Sequence, residues 1–77
     1  MSDNYITDAL EAILEDITGF CMRVPMSMEY DSFFDEAQMD RFRDLVQREF
    51  NLSDNTLVDS CSTFRELVVL LQDELFG

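Results

Sequence analysis

From Asn4 to Thr18 the apolar residues Ile6, Ala9, Leu10, Ile13, Leu14 and Ile17 recur at spacings of three and four, with Asp8, Glu11, Glu15 and Asp16 between them. That period draws one apolar stripe and predicts an amphipathic helix ending at Gly19. The next stretch, FCMRVPMSMEYD over 20–31, has no helical period and holds the only Pro. It reads as an ordered loop pinned to the core by Phe20, Val24, Met26 and Met28. A second helix is predicted from about Phe33 to Phe50, with Phe34, Ala37, Phe42, Leu45, Val46 and Phe50 on one side. Asp40, Arg41, Arg43, Asp44, Gln47 and Arg48 fall mostly on the other.

The connector NLSDNTLVDSCS, 51–62, is polar with apolar points at Leu52, Leu57 and Val58, which suits a loop containing a brief helical turn. Thr63-Phe-Arg-Glu66 then has the form of a capping box, in which the Thr63 hydroxyl accepts from a backbone N–H and Glu66 reaches back. The helix it starts has the apolar face Phe64, Leu67, Val68, Leu70, Leu71 and Leu75. No strand alternation, internal repeat or low-complexity segment interrupts the pattern. The prediction is an all-α fold of three main helices, one short helix and a long first loop.

Composition narrows the function. With 77 residues the chain is expected to be one domain, 1–77, around a single modest core. Its 47% hydrophobic residues and seven Phe suffice to fold it without disulfides or a metal. The net charge of -12 comes from 17 acids against five Arg. Such a surface repels phosphate backbones and anionic lipid, so neither nucleic acid nor membrane is an expected partner. Proteins with basic patches are.

The start MSDNYITDAL has no basic region followed by an apolar run, so no signal peptide is expected. No apolar stretch approaches the roughly 20 residues of a membrane span. Cys21 and Cys61 lie far apart, and with no His in the chain neither a zinc site nor a disulfide framework can be assembled. Two buried, reduced thiols in a cytoplasmic protein are expected. Asp31, Asp35 and Asp40 do not space a calcium loop, because Phe33 stands at its third position and Glu36 at the sixth, where Gly is needed. Without His, nucleophilic triads are excluded, and a bundle this small leaves little room for a substrate cleft. The expectation is a protein that is not an enzyme and has neither catalytic nor metal residues.

The order of helix, long loop, helix ending in Leu45-Val46-Gln47-Arg48-Glu49-Phe50, polar connector and Thr63-Phe64-Arg65-Glu66-Leu67-Val68 resembles the acyl carrier and peptidyl carrier protein family over nearly the whole chain. The Glu49-Phe50 end of the first is similar to the family's L-x-x-E-F close of helix II, the second to the T-V-x-E-L-V start of its last helix. Asp31-Ser32-Phe33-Phe34-Asp35 resembles the D-x-F-F-D before the modification site of peptidyl carriers. The resemblance implies a small acyl-carrier-protein-like four-helix bundle. It also implies a serine at the N-terminus of helix II bearing phosphopantetheine, which carries an acyl or aminoacyl group in fatty-acid, polyketide or nonribosomal-peptide type biosynthesis. The implied partners are a phosphopantetheinyl transferase and synthase or acyltransferase components with basic patches. They would dock on the face of helix II that carries Asp35, Glu36, Asp40, Arg43 and Asp44.

The chain departs from the family where the chemistry would lie. With Glu49-Phe50 aligned without gaps, the Asp-Ser-Leu motif falls on Asp35-Glu36-Ala37, and Glu36, which cannot be phosphopantetheinylated, replaces the serine. Aligning on Asp31-Ser32-Phe33 restores the triplet, at the expense of a helix II longer by four residues. One helical turn keeps the apolar face in phase. The family's Gly near the modified serine is replaced by Phe33 or Phe34. Ser32 also opens an arrangement, Ser32-Phe-Phe-Asp35, suited to cap a helix. Met22, Met26, Met28 and Met39 fit as core filler or, with their flexible side chains, as a lining that admits an acyl chain.

Three functions are therefore expected: a monomeric carrier modified at Ser32, a carrier fold that lacks the arm and binds proteins through acidic helix II, or an unrelated acidic helical adaptor.

Overall fold

In the computed structural model, residues 2–53 and 56–76 are described, with side chains from Tyr5 onward. They form five helices: α1 (Ser2–Thr18), α2 (Tyr30–Phe33), α3 (Glu36–Glu49), α4 (Thr56–Asp59) and α5 (Phe64–Phe76). No strand is present among the described residues; one isolated antiparallel bridge joins Glu29 to Thr63. The all-α expectation holds at that level.

The stripe read from α1 is the one that is buried. Ile6, Leu10 and Leu14 are fully enclosed, and α1 packs against both α3 and α5. Its end follows from Gly19, whose φ of 80° lies in the left-handed region open to glycine, while its N–H still reaches the Glu15 carbonyl at 2.8 Å. From the other elements Phe42, Val46, Val58, Phe64, Leu67 and Leu71 complete the sealed centre.

Phe64 is the aromatic hub of that centre. Its ring lies edge-on to Tyr30 at 5.1 Å, Phe33 at 5.6 Å and Phe42 at 5.7 Å, the offset geometry that ring quadrupoles favour. These contacts explain why YDSFF folds back on the bundle, since the turn of α2 carries Tyr30 and Phe33 to the first residue of α5. The backbone follows. Tyr30 N–H donates to the Ser62 carbonyl at 3.1 Å, and the first amides of α5, on Phe64 and Arg65, donate to the Met28 and Met26 carbonyls. Donors that a helix start leaves open are thus satisfied by the long loop.

The capping box of α5 forms as its residues suggest. Glu66 N–H donates to Thr63 Oγ1 at 3.2 Å, and Glu66 Oε1 accepts from the amides of Ser62 and Thr63 at 2.8 and 3.2 Å. The brief turn expected in 51–62 is α4; Asp54 and Asn55 of that connector lie outside the described residues.

Several expectations need correction. The helix expected over 33–50 is two helices broken at Phe34 and Asp35, because the Asp35 side chain caps a new start. The short helices number two, and the first occupies the end of the expected loop. Phe20 is 71% exposed and Met28 41%, so neither pins the loop; buried Val24 and half-buried Met22 and Met26 do. Ala37 faces solvent and Met39 takes an inward place on α3. Only one of the two thiols is buried, Cys61; Cys21 is exposed.

Candidate functional site

Asp35 sets the geometry of the helix start. Its Oδ1 accepts from Gln38 N–H at 2.8 Å, and its own N–H donates to Gln38 Oε1 at 3.1 Å, a reciprocal box that fixes Glu36 as the first residue of α3. Ser32 is therefore not the cap. It lies inside the single turn of α2, exposed, with its N–H on the Glu29 carbonyl at 3.2 Å and no hydrogen bond to its hydroxyl among the described residues.

Beside this start a depression of about 430 Å³ opens to solvent, walled by Asp31, Phe34, Asp35, Glu36, Met39, Asp40 and Arg43. A second, of about 240 Å³, shares Asp31, Met39 and Arg43 and continues to Tyr30, Val58, Asp59, Cys61 and Ser62. Together they make a groove along α2, α3 and α4. In its outer part four carboxylates face one guanidinium.

That guanidinium is already engaged. Arg43 Nε donates to Asp59 Oδ1 at 2.9 Å and its Nη1 to Asp40 Oδ1 at 2.7 Å, and the Asp59 bond raises its pKa further above the ordinary arginine value. The other α3 arginines are likewise held within the chain, Arg41 by Asp16 at 2.7 Å and Arg48 by Asp44 at 3.2 Å. The positive charges of α3 are thus all bound to carboxylates of this chain, drawn from α1, α3 and α4. Asp31 and Glu36 have no such partner among the described residues.

Of the residues named from the sequence, Asp35, Glu36, Asp40 and Arg43 line the outer groove, whereas Asp44 lies further along α3 in its pair with Arg48. Asp31, Asp59 and Tyr30 were not expected there. Asp59 is brought to Arg43 from 16 positions away by the placement of α4, and no local spacing marks it.

At the inner end the Tyr30 hydroxyl is buried and makes no hydrogen bond among the described residues. The neighbouring Cys61 Sγ donates to the Leu57 carbonyl at 3.4 Å. Burial foremost, then the nearby Cys61 and the carboxylates of Glu66 and Asp59, push the phenol well above the ordinary tyrosine range. Burial also pushes the Cys61 thiol up. Both groups stay protonated near neutrality and neither is an activated nucleophile.

The groove suits a cation. Its carboxylates attract ammonium or guanidinium groups and repel phosphate, and its exposed position leaves them hydrated and salt-sensitive. Among the described residues no group of three or more carboxylates and thiols is placed to hold a metal ion, and no helix is long and apolar enough to cross a membrane.

The chain matches no family model, and no curated protein or solved structure is significantly similar to it.

Proposed function

We propose that the chain is an acidic, carrier-protein-like interaction module that receives a basic patch of a partner protein in the groove between α2, α3 and α4, without a covalently attached arm. The observation that carries this reading is the start of α3, where Asp35 is the cap and Glu36 the first helical residue. Under the resemblance, this start corresponds to the place at which the carrier family holds its modified serine. Here the Gln38 amide of that first turn is met by the Asp35 carboxylate, with Glu36 and Asp31 alongside. A phosphodiester brought there would face three carboxylates, which offset the attraction of the helix N-terminus for an anion.

A second reading, acyl or aminoacyl transport on phosphopantetheine at Ser32, draws on one specific feature: the Ser32 hydroxyl is exposed and unbonded among the described residues. Incubation with coenzyme A and broad-specificity phosphopantetheinyl transferases, followed by intact mass, separates the two. The arm-less module keeps its mass. A gain of one phosphopantetheine that disappears in Ser32→Ala would establish the carrier instead. For the docking surface, Asp31→Lys with Glu36→Lys should abolish low-salt retention of a co-purifying basic partner, and unchanged retention would remove the groove from the interface.

A further inference from the structure

The solvent side of α5 carries two large apolar residues. Val69 is 57% exposed and Phe76 is 55% exposed, on a helix whose opposite face supplies Phe64, Leu67 and Leu71 to the core. At about 100° per residue, Arg65, Val69, Asp73 and Phe76 fall within a stripe roughly 80° wide. Two of its four members are charged, and they flank Val69 symmetrically at four residues on either side.

Neither charge has a partner on its own helix. Arg65 has no acid three or four positions away, and Asp73 has no base at those spacings. All three arginines of α3 touch carboxylates, yet Arg65 touches none among the described residues, in a chain with 17 acids.

We propose that this stripe is a self-association surface, on which two copies of the chain pair their α5 helices antiparallel about a two-fold axis at Val69. In that register each residue faces the one equally far from Val69 on the other copy. Arg65 comes level with Asp73 of the second copy, and Asp73 with its Arg65, about 6 Å along the axis from the central valines. A two-fold contact must be complementary to itself, and this stripe is, because its cation and its anion sit at mirrored distances from an apolar centre. The next pair in the same register sets Glu66 against Gln72, and Phe76 reaches past the start of the other copy's α5, so no like charges are opposed. Two helices meeting along one stripe bury less than a standard interface. The repulsion of two chains of charge -12 is screened beyond about 8 Å at physiological salt. The dimer is accordingly weak and reversible. It leaves the groove beside α3 free, and it does not depend on what that groove binds.

Sedimentation velocity over a concentration series at physiological salt, reaching about 1 mM, reads the association directly. The native chain should move from monomer toward dimer across the series, and Val69→Arg should raise the dissociation constant about tenfold or more. Arg65→Asp and Asp73→Arg should each weaken pairing, and the double exchange Arg65→Asp/Asp73→Arg should restore it to within about threefold of native. All three positions are exposed, so each variant keeps its fold, which circular dichroism checks. A native chain monomeric at every concentration overturns the proposal. So does a Val69→Arg variant that associates as the native chain does, or a double exchange as weak as its parents.

Discussion

Arg43 Nε donates to Asp59 Oδ1 across 2.9 Å, and this contact ties the middle of α3 to the last residue of α4. The Arg43 side chain is 29% exposed and that of Asp59 55%, so water screens much of the attraction. A double-mutant cycle with Arg43→Met and Asp59→Asn should return a coupling of about 0.5–1 kcal/mol from urea unfolding at moderate salt. The larger effect should be local. Amides of α4 should exchange faster in either single variant, because a one-turn helix has little hydrogen bonding of its own to keep it closed.

Ser32 and Asp35 compete in the sequence for the same role, and the hydrogen bonds separate them. The Asp35 carboxylate accepts from Gln38 N–H at 2.8 Å, whereas the Ser32 hydroxyl accepts nothing among the described residues. Asp35→Ala should cost about 1 kcal/mol, the usual loss for an N-cap. For a domain of this size that lowers the melting temperature by roughly 4–8 °C. Ser32→Ala should stay within about 0.5 kcal/mol of native, as exposed substitutions away from caps do. Equal losses at the two positions would mean that helix α3 starts earlier than Glu36.

The same competition shows why one boundary was legible and another was not. Gly19 and Thr63-x-x-Glu66 each offer a single local solution, and both act as read. Between Tyr30 and Phe50 the aromatic residues keep helical phase straight through the break, so periodicity extends one helix where there are two. What breaks it is not local. Tyr30 and Phe33 turn toward Phe64, 34 and 31 positions later, and a tertiary contact of that range leaves no spacing signal. The groove was half legible for the same reason: its α3 acids fall at one-turn spacings, whereas Asp59 is carried in by α4 and Asp31 by the fold of α2. Phe20 and Met28 are exposed against expectation because apolarity alone does not fix burial in a loop that lacks a period.

Acid stability should depend on Glu66. Its carboxylate accepts from Ser62 N–H and, less closely, from Thr63 N–H, and these bonds hold its pKa below the ordinary glutamate value. A group whose pKa is depressed by folding stabilises the native state while it is ionised. That contribution is complete above the unfolded value of about 4.3 and is lost as pH falls through the lower folded value. Glu66→Gln keeps an acceptor for both amides but removes the charge, so its stability lacks this dependence. The difference between native chain and variant in urea unfolding should therefore be constant from neutrality to about pH 5 and then shrink steadily toward pH 3. A difference that stayed fixed over that range would mean the carboxylate is no better held in the folded chain than in the unfolded one. The bonds from Ser62 and Thr63 would then not describe the start of α5 in solution.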